Sequence, residues 1–477
     1  MTQPATKIAA TPVPEVADDQ VQMTEIVIYS LVMATMLGAI ALLFSELMTF
    51  SASLDALSNV SLSDSYILIA RLAAGIVILL LLKEAGVALL AYRQMVLTAT
   101  ASTPELHAPA RTGKTASIIV PAYNEAETIE RTLASLLKSS YPILDIVIVD
   151  DGSTDETLAK AQTAAARSTR VPVTVLTQAN GGKWRALNRG IAASKGELVL
   201  CVDADSMIDA DALSIMVPHF DDAGVAAVCG QVSVRNKRGL IARLQALEYV
   251  VANGSARTAQ SGDGCVLIVP GPIGLFRRAI LDQVRQTFFA DGETWRGEVV
   301  TGPFSPHTFA EDFELSVMIG SIGGRVVYEP AAKARTMVPE TLRELLSQRY
   351  RWIRGSMQVN ARFHDLEWSS KGGSGALRRW MTIAGIGDLY VVPIAGLLLM
   401  ATAVWALLLG EVASLLSLWI LVWLIHASAA IMFIRSHGED LSLALLSPLQ
   451  SLYGAVILTG VWTHAFIDQV TGRAMKW

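Results

Sequence analysis

Leu198-Val199-Leu200-Cys201-Val202-Asp203-Ala204-Asp205 is an apolar run that stops on two carboxylates. A run this short and apolar reads as a strand buried inside a sheet. Along a strand the side chains at i and i+2 share a side, so Asp203 and Asp205 are expected to approach one hard cation together. Oxygen donors suit Mg2+ or Mn2+, which keep several waters and bridge to substrate phosphates. Asp-x-Asp alone is common on surface loops; its place after a buried strand makes it a metal-site expectation.

Upstream, Ser117–Pro121, Ile146–Asp150 and Val173–Thr177 are further short β-branched runs, with amphipathic helical stretches between the first of them. This alternation implies an α/β domain, a parallel sheet covered by helices on both faces. In such sheets ligands bind outside the carboxyl ends of the strands. The polar groups fall there: Tyr123-Asn124-Glu125 after the first run, Asp150-Asp151-Gly152 after the second, Asp203 to Asp205 after the fourth. Asp150 and Asp151 have a plainer use as caps of the helix that follows. Gly181-Gly182-Lys183-Trp184-Arg185-Ala186-Leu187-Asn188 carries a Gly-Gly-Lys without the Gly-x-x-x-x-Gly-Lys-Ser/Thr spacing, which excludes a P-loop ATPase. Lys183 is then a ligand-binding cation or a solvated charge.

Farther on, Glu311-Asp312 opens a helix expected over Phe313–Ile319, where acids are also favoured by the macrodipole alone. Gln348-Arg349-Tyr350-Arg351-Trp352 lies in an amphipathic segment, Glu340–Met357, able to rest at a membrane surface. Arg351 can pair bidentately with phosphate oxygens, and Trp352 offers a flat face for a sugar ring. A basic interfacial helix anchored by its Trp is the plainer alternative.

Of the 477 residues 52% are hydrophobic and only 17% charged, too apolar for an ordinary soluble enzyme. The net charge of −5 gives no general basic surface and excludes nucleic acid as the expected partner. Cys201, Cys229 and Cys265 are far apart, in apolar runs, without zinc or disulfide spacing, and read as reduced core residues. Residues 1–23 read as a disordered tail. Two membrane helices are expected within 24–97, at Ile26–Phe44 and Tyr66–Ala91, each near the roughly 20 apolar residues that cross a bilayer. Three more, Ile383–Leu409, Val412–Ile434 and Ser447–Ile467, are expected within 376–477. The Ser45–Ser65 loop is acidic, whereas Arg93, Arg111 and Lys114 follow the second span, so the domain at 98–375 is expected in the cytosol. Five spans place the C-terminus outside, yet Arg473 and Lys476 favour the inside, which leaves the count open by one near Pro393.

The stretch Ser117-Ile-Ile-Val-Pro121-Ala-Tyr-Asn124-Glu125, leading into Asp145-Ile-Val-Ile-Val-Asp150-Asp151-Gly152, resembles the nucleotide-binding half of the family-2 glycosyltransferases. The resemblance implies a GT-A-like, Rossmann-type domain flanked by transmembrane helices. It implies Asp151 at the uracil of a UDP-sugar with Asp150 supporting the turn, Lys183 near the diphosphate, and Asp312 as the base for the acceptor hydroxyl with Glu311 in support. Val269-Pro270-Gly271-Pro272-Ile273-Gly274 resembles the acceptor loop, with Gly271 and Pro272 beside the terminal sugar. In the processive members the Gln-x-x-Arg-Trp pattern places Gln348, Arg349 and Arg351 with the donor and Trp352 under the acceptor. The family's usual threonine before Glu311-Asp312 is Ala310 here, and Phe288–Phe309 matches no family motif. The implied enzyme is a processive, inverting β-glycosyltransferase of the inner (plasma) membrane. It extends a growing polysaccharide from a UDP-sugar and exports it through the bilayer, with secretion or regulatory subunits as further partners. Alternatives are a single-transfer enzyme acting on a lipid acceptor and a non-catalytic nucleotide-sugar-binding partner of another synthase.

Overall fold

The structure is a computed structural model that describes residues 15–57, 64–100, 113–289, 292, 294–295, 297–367, 375–408 and 412–473. Among the described residues there are ten strands: β1 (Ala116–Ala122), β2 (Ile143–Asp150), β3 (Val173–Thr177), β4 (Leu198–Cys201), β5 (Met207–Ile208), β6 (Val225–Val234), β7 (Gly274–Arg277), β8 (Thr294–Trp295), β9 (Glu298–Val299) and β10 (Arg325–Thr336). Eight form one sheet in the order β3-β2-β1-β4-β7-β6-β10-β5, and β8 pairs with β9 in a small hairpin. The expected strands lie within two or three residues of those observed. The four strands read from the sequence, β3, β2, β1 and β4, are parallel as expected, but the sheet they belong to is mixed: β7 enters antiparallel to both β4 and β6, and β5 runs antiparallel to β10. The return is not legible in the sequence, because direction leaves no mark on a strand's apolar pattern. The β6–β10 register shifts between Glu329 and Lys333, where Pro330 has no N–H to give.

Alternate residues of the central strands feed two apolar layers. Ile118, Ile146, Ile148 and Leu200 face one way; Ile119, Val147, Val149 and Val199 face the other. Each fully buried side chain of this size stabilises by about 1.5–3 kcal/mol, which explains why the motif-bearing turns sit on a rigid platform. The first layer is continuous with Tyr29, Met33, Ile425 and Phe433 of the apolar helices, so the domain shares a core with them.

Among the described residues, four segments are long and apolar enough to cross a membrane: Thr24–Ser45, Arg378–Leu398, Trp419–Ser436 and Leu441–Val470. They lie in or along helices Glu15–Leu57, Gly375–Leu408 and Val412–Ser436 and the broken helical run to Val470. The second expected span, Tyr66–Ala91, falls in the helix Asp64–Thr100 but is not among the four. The first helix already begins at Glu15, inside the stretch read as a tail; residues 1–14 lie outside the described residues. The helix Gly375–Leu408 runs unbroken through Pro393.

Candidate functional site

The site is built at the carboxyl ends of β1, β2 and β4. Strand β4 stops at Cys201, and Asp203 to Asp205 lie in a turn closed by the Ser206 N–H donating to the Asp203 carbonyl at 3.0 Å. Asp203 and Asp205 therefore share a side through the turn rather than through strand periodicity. Asp203 accepts from Lys183 Nζ at 2.6 Å, and the same ammonium stands 3.2 Å from Glu311. Burial works against the charge of Lys183, but Asp203, Glu311 and Asp312 outweigh it and hold its pKa well above the ordinary value. One side chain thus joins three motifs spread over more than a hundred residues of sequence.

Asp312 sits in the first turn of the helix Glu311–Ser321 and accepts from the Phe313 N–H at 2.8 Å. Burial, then the neighbouring Glu311, push its carboxyl up to about 6, with Lys183 pulling the other way. The hydroxyl expected at position 310 is absent; Thr308, two residues earlier, donates to Glu314 at 2.9 Å instead. Gly271 touches this cluster directly: a Cβ there would lie 2.7 Å from Lys183 Nζ and 2.8 Å from Asp203 Oδ2. Pro272 follows it, partly buried in the same turn.

Asp151 is buried, and its carboxylate accepts from the Gly181 N–H at 3.0 Å, the Gly182 N–H at 2.8 Å and Gln178 Nε2 at 2.7 Å. It holds the Gly-Gly-Lys loop that presents Lys183. Asp150, also buried, accepts from Thr177 Oγ1 at 3.2 Å. Neither caps the next helix, whose first N–H, that of Thr157, donates to Asp155 at 3.0 Å. Asn188, at the end of the same motif, exchanges hydrogen bonds with the Phe304 backbone at 2.8 and 3.0 Å, pinning the 300–309 segment beside Glu311.

The helix Leu342–Glu367 carries Gln348 to Trp352. Arg349 is 3% exposed and donates to Glu248 at 2.8 Å and to Gln348 Oε1 at 3.0 Å, while Tyr453 OH donates to the same Glu248 oxygen at 3.0 Å. Its guanidinium lies 4.3 Å from the Trp352 ring, which stays 40% exposed. Of the two arginines, Arg351 is the exposed one and Arg349 is committed to Glu248. Two contacts tie this helix to the acidic cluster. A Cβ on Gly355 would lie 2.8 Å from the Ala310 nitrogen, so the helix rests on the backbone just ahead of Glu311. Tyr249, 6.3 Å from Trp352, has its phenol pushed up to about 12 by burial, with Arg349 and Glu248 opposing each other and Asp205 adding to the rise.

Sequence reading gave no role to Glu125, Tyr249, Asn188 or Glu248. Glu125 was legible as a polar residue just past β1. Its carboxyl is pushed up to about 7 by burial, against the hydroxyl of Thr128 at 2.6 Å, with Asp205, Asp203 and Asp155 adding to the rise. Burial and Asp203 likewise raise Asp205, which accepts from Ser206 at 2.9 Å and Thr336 at 3.1 Å. This crowding of carboxylates, all oxygen donors, fits a hard divalent cation. Among the described residues no three His, Cys, Asp or Glu side chains stand close enough to hold a metal by themselves. A cation at Asp203 and Asp205 would complete its shell with water and ligand oxygens. The three cysteines are free and buried.

Residues 114–355 match the pattern of glycosyltransferase-like family 2. The poly-β-1,6-N-acetyl-D-glucosamine synthases of Staphylococcus aureus and Staphylococcus epidermidis are 32% identical over 244 residues, 51% of this chain and 55% of theirs. The chain thus spans about half the length of these curated relatives. A mannosyltransferase from Pyrobaculum calidifontis, solved with GDP-Man and Mn2+, superposes with a TM-score of 0.53 at 20% identity over 84% of this chain and 99% of that one, which shows a common fold. With the matched residues spanning every motif of the acidic cluster, the chain belongs to glycosyltransferase family 2.

Proposed function

We propose that this protein is a processive, inverting β-glycosyltransferase that polymerises N-acetylglucosamine from UDP-N-acetylglucosamine and passes the polymer through its own membrane helices. The observation that carries the reading is Lys183, whose ammonium bridges Asp203 and Glu311 beside Asp312. The likeness to poly-N-acetylglucosamine synthases supports the choice of sugar. In this reading the domain is cytosolic, at a membrane crossed several times.

Lys183 and the backbone held by Asp151 receive the diphosphate. The acceptor hydroxyl oxygen attacks the anomeric carbon from the face opposite the UDP, its proton passes to Asp312, and the bond to the departing phosphate oxygen breaks. With a pKa near 6 the carboxylate is ionised at neutral pH yet basic enough to take that proton. Glu311 keeps Lys183 in place. Asp203 and Asp205 would hold Mg2+ or Mn2+, which supplies positive charge against the leaving diphosphate when bound. Trp352 supports the acceptor ring, fixed from below by Arg349.

Incubating the purified full-length chain with UDP-N-acetylglucosamine and either metal, then sizing the product and digesting it with linkage-specific hydrolases, tests the reading. A long polymer, shortened by Trp352→Ala and abolished by Asp312→Asn with donor binding retained, is expected. A product one sugar long would instead establish the single-transfer alternative, and turnover by Asp312→Asn would remove the assigned base.

A further inference from the structure

Just past Asp312, Phe313, Ser316 and Gly320 form one wall of a cavity of about 300 Å³, closed by Ser356 and Asn360 and by the start of the helix Gly375–Leu408. We propose that this cavity binds the phosphate headgroup of an anionic membrane lipid, with Arg378 as its cation.

Arg378 lines the cavity, partly buried, with its guanidinium laid against Gly320 so closely that a Cβ there would overlap it. No described residue pairs with it or accepts a hydrogen bond from it, and the same holds for the side chains of Ser356, Asn360 and Thr382 around it. A charged donor ringed by amide and hydroxyl groups with unused capacity is the chemistry of phosphate recognition. Asp388, at the far end, is already paired with Lys83, so it neither satisfies Arg378 nor repels an anion as a bare charge.

The position selects a lipid as the source. Arg378 is the first residue of a candidate membrane span, exposed Arg379 follows it, and Trp380 packs 3.2 Å from where a Cβ on Gly86 would be. Basic and Trp side chains at one end of a span mark the headgroup level. Leu267, Ile386 and Leu389 give the cavity an apolar side suited to the glycerol and first methylenes. Occupancy would reach the site through Ser316, whose hydroxyl donates to the Asp312 carbonyl at 2.7 Å and accepts from the Val269 N–H at 3.0 Å, two residues before Gly271.

The test is lipid retention by the full chain, a readout that needs no turnover and so fails independently of the transferase reading. Purified protein is exchanged into nanodiscs of phosphatidylcholine with phosphatidylglycerol as the minor lipid, and bound lipid is counted by native mass spectrometry. The wild type should retain phosphatidylglycerol over phosphatidylcholine. Arg378→Gln should reduce that retention by about tenfold, Arg378→Lys should keep part of it, and Arg379→Gln should leave it unchanged. Equal retention by wild type and Arg378→Gln, or an equal loss in Arg379→Gln, overturns the proposal. Displacement of the lipid by millimolar inorganic phosphate or glycerol 3-phosphate would make this a site for soluble phosphate and overturn the lipid assignment.

Discussion

Replacing Gly271 by alanine puts the geometry of the acidic cluster to a quantitative test. The added Cβ would stand 2.7 Å from Lys183 Nζ and 2.8 and 3.1 Å from the Asp203 oxygens, where ordinary contact begins near 3.4 Å. The ammonium must then retreat by about 0.7 Å and the carboxylate by nearly as much, in a place where about 1 Å of misplacement costs up to roughly 10²-fold in rate. Because that ammonium also sits 3.2 Å from Glu311, the displacement propagates to the residue next to Asp312, the proposed base. The expected result is a fall in kcat of roughly 10- to 100-fold, about 1.4–2.7 kcal/mol of barrier. The displaced atoms are side-chain ends, so the folding cost should stay below about 1 kcal/mol, under the usual range for overpacking. Initial rates of UDP release at saturating donor, with a thermal melt alongside, separate the two. Gly239→Ala, where a Cβ meets nothing within 4 Å, serves as control and should match the wild type. Wild-type kcat in Gly271→Ala would refute the reasoning, because the loop would then not press on the Lys183–Asp203 pair.

The Asp312 carboxyl, near 6, must be ionised to act as a base, so kcat should fall as pH drops below about 6 and level off above it, with Glu125→Gln leaving this limb in place. Its folded-state pKa lies above the ordinary 3.8, so the folded chain binds the proton more readily; stability should decline as pH rises from about 4 to 6, and Asp312→Asn should flatten that part of a melting-temperature profile. Asp151→Asn replaces an acceptor oxygen facing the Gly181–Gly182 backbone with a donor; about 1–3 kcal/mol of stability should be lost, with donor KM rising more than kcat falls. Gly355→Val should lift the Gln348–Trp352 helix off Ala310, costing about 1–3 kcal/mol by denaturant melt and, on the proposed processive reading, shortening the polymer made per binding event.

Much of the platform could be read from apolar period and turn chemistry. Leu198 to Asp203 announced β4, and each polar turn fell at a strand's carboxyl end. Strand direction was not legible, because β7 lies antiparallel between β4 and β6 through pairings distant in sequence. Lys183 was legible as a cation, but its two partners depend on how three separate turns converge. Arg349 and Arg351 look alike in sequence; only packing against Glu248 and Tyr453 decides which is buried. Asp151 illustrates the same limit, since its partners are backbone N–H groups that no residue pattern advertises.

The junction of Arg349, Glu248 and Tyr453 has a mechanical consequence. Tyr453 belongs to the last apolar run, Leu441–Val470, while Arg349 sets the pose of the Trp352 ring. A tilt of that run, as a thinner or thicker bilayer would impose, pulls on the phenol, then on the guanidinium, then on the aromatic shelf beside the pocket. On the proposed reading, the thickness of the surrounding lipid thereby becomes an input to how the sugar chain is gripped.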